Sequence, residues 1–203
     1  ERVFDIYYGL SQVWLSSQNY SITLDYLLKS MAILDRQKSE KATTSVYYLK
    51  KKSNVLSLMG FIYIQMDKHD RALDNLNKSL ELLNKLPDEE SYFVNDRKMA
   101  VYNNIGAICL NLRKMDEAVQ YYEKALTYSK KVNNTFNSSA MYNNLGIINM
   151  EQGKYKEAVM YYHKALDMRV IDKDTAGMAQ CYNNLSRLYF YKNNFPLALD
   201  YAD

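Results

Sequence analysis

The stretch VYNNIGAICLNLRKMDEAVQYYEKAL at 101–126 returns at 141–166 as MYNNLGIINMEQGKYKEAVMYYHKAL, and at 181–203 as CYNNLSRLYFYKNNFPLALDYAD. A chain that repeats itself at a fixed interval of 40 residues stacks copies of one supersecondary unit. That constraint outweighs every other feature of the sequence. With 6 Gly and 2 Pro in 203 residues, long stretches lack helix breakers, so the repeated unit is helical.

With Gly146 taken as repeat position 8, Tyr142 stands at position 4, Leu145 at 7, Ala158 at 20, Tyr162 at 24 and Ala165 at 27. The same frame places Ile105, Gly106, Ala118, Tyr122 and Ala125 in the preceding copy, and Leu185, Ser186, Tyr189 and Ala198 in the following one. Two further copies lie upstream. One contains Met59, Gly60, Tyr63, Ala72, Leu76 and Ser79, and a more divergent one contains Leu10, Ser11, Trp14, Thr23, Leu27 and Ser30. These residues resemble the tetratricopeptide repeat, a helix-turn-helix unit with small residues at positions 8, 20 and 27 and large ones at 4, 7, 11 and 24. The anchors 11, 60, 106, 146 and 186 are spaced by 49, 46, 40 and 40, against about 34 in the common repeat of that family. The chain therefore resembles the longer-helix variety, with the extra length expected between the second helix of one repeat and the first of the next.

The resemblance covers essentially the whole chain. It implies an all-α fold, an α-solenoid of about five stacked helix-turn-helix units in a right-handed superhelical array. The expected organisation is one domain over 1–203, with repeats near 4–37, 53–86, 99–132, 139–172 and 179–203. Position 8 of the first helix is expected to meet position 20 of the second, because two axes approach closely only where neither carries a bulky side chain. A mid-helix glycine costs about 1 kcal/mol relative to alanine, so its recurrence at one position argues for close packing. Pro87 in LPDEES marks a break between repeats, and Pro196 suits the first turn of the last helix. The Tyr-Tyr pairs 121/122 and 161/162 read as packing residues.

At about 100° per residue, the helix face opposite positions 4, 7, 8 and 11 is centred on 2, 6, 9 and 13, with 5 and 12 at its edges. In the family this opposite face lines a concave groove. It holds Asn104, Asn144 and Asn184 at position 6, with Asn103, Asn143 and Asn183 at its edge. Asparagine is a mediocre helix former, so its recurrence on a face the core does not need suggests a use. A carboxamide both donates and accepts, which suits an extended peptide backbone. Such contacts are what the resemblance implies here. Asn111, Glu151, Arg187 and Tyr191 complete the candidate peptide-binding set. Arg187 is the only basic residue among these groove positions, which disfavours a clamp for a terminal carboxylate.

The function expected is a protein- or peptide-binding scaffold. The alternative is a ligand-sensing or regulatory segment of a bacterial transcriptional regulator or histidine kinase. An enzyme is not expected: a Gly-rich phosphate loop, HExxH and a nucleophile elbow are all missing, and His69 and His163 read as solvated surface residues. No cofactor, metal or catalytic residue is expected. A net charge of +3 is too balanced to imply nucleic acid, and the run Lys50-Lys51-Lys52 reads as a solvated helix face. Cys109 and Cys181 occupy different repeat positions and read as buried free thiols. No apolar run is long enough to span a membrane. The abrupt start at Glu1 suggests an excised fragment, whose compartment the sequence does not decide. The apolar residues Phe195, Leu197, Leu199 and Tyr201 lack a following repeat, so a further helix or self-association at this edge is expected.

Overall fold

A computed structural model describes residues 2–36 and 45–202. They form ten α-helices: α1 (Arg2–Ser16), α2 (Tyr20–Asp35), α3 (Val46–Gln65), α4 (His69–Leu83), α5 (Ser91–Asn111), α6 (Met115–Val132), α7 (Thr135–Glu151), α8 (Tyr155–Ile171), α9 (Thr175–Tyr191) and α10 (Phe195–Asp200). A 3-10 turn at Asp88–Glu90 follows Pro87 and precedes α5. The described residues contain no strand. The fold is all-α, a series of helix-turn-helix units, and it falls into two compact units, Glu1–Ile108 and Cys109–Asp203.

In the first unit α1 packs on α2, α2 on α3 and α3 on α4. Leu27 and Leu34 of α2 meet Tyr48, Val55, Met59 and Ile62 of α3 in one core. The three lysines of α3 depart from a solvated face. Lys50 pairs with Glu90 at 2.8 Å, Lys51 with Asp5 at 2.7 Å and Lys52 with Asp35 at 2.6 Å. Successive residues turn by about 100°, so three adjacent ammonium groups reach three different neighbours. Each pair is partly exposed and contributes at most about 1 kcal/mol.

In the second unit α7 packs on α8, α8 on α9 and α9 on α10, with α6 against α7. Met150, Ala158, Tyr162, Leu185 and Leu188 form its central cluster. Position 8 does approach the second helix closely, but its partner differs from the expected one. A Cβ built on Gly146 would lie 2.5 Å from Cε1 of Tyr162, and one on Gly60 would lie 2.6 Å from Cγ of Leu76. Position 8 thus sits beneath the large side chain at position 24. The glycine makes room for that side chain as well as for the backbone of position 20, since the Ala72 carbonyl lies 3.3 Å from the Gly60 Cβ site.

Six of the turns are three residues long and share one geometry, while the α6–α7 turn, Asn133–Asn134, has two. The middle residue has positive φ: Gln18 56°, Asp67 56°, Arg113 60°, Gly153 74°, Lys173 55° and Asn193 56°. Around Gly153, Lys154 N–H donates to Asn149 C=O at 2.8 Å and Gly153 N–H to Met150 C=O at 3.0 Å. This is a Schellman ending, which satisfies carbonyls that the helix leaves open. The α8–α9 connection at Asp172–Asp174 has the same geometry, so the extra residues of the 40-residue repeat lengthen the helices and not the connection. Pro196 sits in the first turn of α10, where Asn194 accepts the Leu197 N–H at 3.4 Å.

Both cysteines are free and buried. Burial pushes each thiol up from its ordinary range, with Glu117 adding to the shift at Cys109. The histidines have partners, contrary to the solvated reading. His69 lies 3.2 Å from Asp67, and His163 meets the Tyr201 hydroxyl at 3.5 Å. Tyr201 itself stacks on Tyr189 at 5.6 Å, so it is covered by its own repeat.

Candidate peptide-binding face

The first helices of repeats four and five, α7 and α9, carry seven of the predicted residues within the second unit. Glu151, Arg187 and Tyr191 come together around one pocket of about 310 Å³, with Met150 and Tyr155 completing its wall. Position 13 of α7 and positions 9 and 13 of α9 therefore converge, as expected for residues sharing one helical face. Glu151 is held by Arg113 at 2.6 Å, across the end of α7. Arg187 reaches Asn184 Oδ1 at 3.5 Å. Beneath the pocket, burial pushes the Tyr162 hydroxyl up to about 12, while the charge of Arg187 and a hydrogen bond from it pull the other way. The pocket thus presents an arginine, an ion-paired carboxylate and an exposed tyrosine beside Met150 and Tyr155.

Much of the carboxamide stripe is engaged inside the protein. Asn144 donates from Nδ2 to the hydroxyl of buried Tyr122 at 3.1 Å. Asn184 donates from Nδ2 to Oδ1 of Asn143 at 2.8 Å. Asn143 does not lie open at the edge of a groove, because α9 covers it and leaves its side chain 2% exposed. Its frame counterpart Asn183 is exposed, and so is Asn111. Asn144 and Asn184 are half-buried; each keeps a second amide hydrogen beyond the bond described. Asn103 and Asn104 belong to the first unit and are half-buried there.

Three residues of this region lie outside the expected set. Met150 at position 12 sits on the edge of the chosen face, and its side chain also receives the Tyr162 hydroxyl at 3.9 Å. Tyr155 opens the second helix, and Arg113 stands in a turn of the preceding repeat. A frame read along single first helices has no place for residues delivered by turns. The spacing of a short turn after position 13 was the available signal for Tyr155.

Among the described residues no group of three His, Cys, Asp or Glu side chains could hold a metal. No described helix is long and apolar enough to cross a membrane.

Stacked helix-turn-helix units, with Gly60 beneath Leu76 and Gly146 beneath Tyr162, define a helical-repeat scaffold. Sequence profiles described as tetratricopeptide repeat match residues 53–82, 100–131 and 137–203. The chain belongs to the tetratricopeptide repeat family. No curated protein matches the sequence. Among solved structures, BtubC (BKLC) from P. vanneervenii is similar over 100% of this chain and 79% of its own, with TM-score 0.76 and 20% identity. The apo form of RapI matches 98% of this chain and 67% of its own, with TM-score 0.78 and 15% identity. The Rap conjugation gene regulator of plasmid pLS20, in complex with the Phr* peptide, matches over 98% of this chain and 51% of its own length. Its TM-score is 0.73 at 18% identity. Identities this low speak for the fold alone.

Proposed function

We propose that this chain is a protein-interaction scaffold whose second unit binds an extended peptide or protein segment along α7 and α9. The observation that carries the reading is the convergence of Glu151, Arg187 and Tyr191 on one pocket. Convergent polar groups in a concave place are what fix a ligand's orientation. A side chain of the bound segment fills the pocket. The remaining amide groups of Asn144 and Asn184 face its backbone, with Asn183 and Asn111 further along the exposed surface. Asn143 acts indirectly, by fixing Asn184. Asn103 and Asn104 hold the same frame positions on α5, in the first unit. The peptide-bound state of the Rap regulator of pLS20 supports this reading by analogy of fold.

The same relative is a gene regulator, which favours a second reading in which peptide occupancy is the input of a regulatory protein. Binding, and not turnover, is the activity proposed in both. The partner is a protein segment; nucleic acid is not proposed, given the balanced net charge of +3.

Panning a displayed library of random dodecapeptides against the chain tests the proposal. Selected peptides should bind the wild type in calorimetry. The double substitution Arg187→Ala/Tyr191→Ala should weaken them about tenfold or more, a loss of about 1.4 kcal/mol or more. Equal affinity for a folded double variant would remove the pocket from the reading.

A further inference from the structure

Three charged side chains set the electrostatic character of the pocket, and the repeat frame asks for none of them. Position 9 holds Gln12, Phe61, Ala107 and Ile147 before it holds Arg187, and position 13 holds Ser16, Gln65 and Asn111 before Glu151. Position 15, a turn residue of positive φ, holds a base only at Arg113. That conformation favours glycine, and the next repeat has Gly153 there. The Glu151 carboxylate takes the Arg113 guanidinium at 2.6 Å. The other acids beside Arg113 have partners of their own: Glu117 lies 3.4 Å from Lys114, and Asp116 accepts from Gln152 at 3.4 Å. Arg187 is in the opposite state. Among the described residues no carboxylate lies within ion-pair distance of it. Its guanidinium meets neutral groups, Asn184 Oδ1 at 3.5 Å and the Tyr162 hydroxyl.

We propose that the pocket selects an acidic side chain of the bound segment, and that Arg113, in the turn of the preceding repeat, sets this selectivity by neutralising Glu151. The inference rests on the peptide-binding reading above and names the chemistry of the residue that fills the pocket. With Arg113 in place the Glu151 charge is cancelled and Arg187 is left as the one uncompensated charge of the pocket wall. An aspartate or glutamate carboxylate then fits its planar fork in the two-bond geometry that arginine favours. Without Arg113, the restored charge of Glu151 opposes that carboxylate and offsets Arg187; both charges already reach one group, the Tyr162 hydroxyl. The ligand is a side-chain carboxylate and not a chain terminus, because Arg187 is the only base at the groove positions of the frame. Arg187 is the contact residue, and Arg113 acts through Glu151.

The test uses the random dodecapeptide library, displayed with each peptide's C-terminus fused to the carrier so that no terminal carboxylate is offered. Selection on the wild type should enrich Asp and Glu above the input library. The selected peptides, synthesised as C-terminal amides, should bind about fivefold more weakly in calorimetry when the enriched acid is replaced by Asn or Gln. Arg113→Gln, shown to be folded by circular dichroism, should weaken the acidic peptides about fivefold and leave their Asn or Gln counterparts unchanged. Adding Glu151→Gln to Arg113→Gln should restore the preference for the acid, which a merely structural role of Arg113 would not allow. A preference for the acid that survives Arg113→Gln unchanged would overturn the role of Arg113. Tighter binding of free-acid than of amidated peptides would overturn the side-chain assignment in favour of a terminal carboxylate. Selected peptides without acid enrichment, yet weakened by Arg187→Ala/Tyr191→Ala, would overturn this inference and leave the pocket standing. A library that yields no binder would overturn both.

Discussion

Tyr142–Leu145 and Tyr182–Leu185 spell the same four residues at the same frame positions, one repeat apart. In α7 the first asparagine of the motif is covered by α9 and accepts a hydrogen bond from Asn184. In α9 its counterpart Asn183 is exposed. Tyr142 stacks on Tyr161 at 6.1 Å and Tyr182 meets Tyr201, at the same frame position, at 6.3 Å, but Tyr182 stays 37% exposed. Helical geometry assigns a residue to a face, but the next helix decides whether that face is a seam or a surface.

The largest difference between the two repeats is expected at position 8. Gly146→Leu drives a side chain into the Tyr162 ring and should cost roughly 1–3 kcal/mol or more. Ser186→Leu starts from a residue that already carries a Cβ, whose Oγ donates to Ala198 C=O at 2.7 Å. It lies beside the short helix α10, and its loss should be smaller. Thermal melts followed by circular dichroism compare the two, and equal losses would show that α10 packs as firmly on α9 as α8 does on α7.

A smaller contrast is expected at position 5. Asn143→Ala leaves the half-buried Asn184 amide without its acceptor and should cost about 0.5–1.5 kcal/mol. Asn183→Ala, on an exposed surface, should stay within about 0.5 kcal/mol. Urea unfolding of both variants decides this. If Asn183→Ala costs as much as Asn143→Ala, then a further helix or another copy covers it in solution.

The smallest contrast lies in the turns that flank α8. Gly153 and Lys173 hold the same left-handed conformation, at φ 74° and 55°. An L side chain there costs roughly 1–2 kcal/mol. Gly153→Ala should therefore destabilise by about 1 kcal/mol, while Lys173→Gly should be neutral or stabilising by a similar amount. A destabilising Lys173→Gly, seen by the same urea titration, would mean that the lysine side chain contributes something the backbone geometry does not reveal.

The repeat, its helical character and its core positions are legible from residues alone. Gly146, Leu145, Ala158 and Tyr162 recur with a period that only stacked helix pairs explain, and a helical frame converts that period directly into faces. The convergence of Glu151, Arg187 and Tyr191 follows from the same frame, because all three share one face of adjacent first helices. The contacts that cross between elements were not legible. The frame counts residues along one helix and is silent about what lies opposite. Hence Gly146 faces Tyr162 before Ala158, Asn143 is sealed beneath α9, and Lys50, Lys51 and Lys52 find acids on three separate elements. Local periodicity is a property of the chain and is written in it. Partnership depends on distances between segments far apart in sequence, and only the packed structure sets those distances.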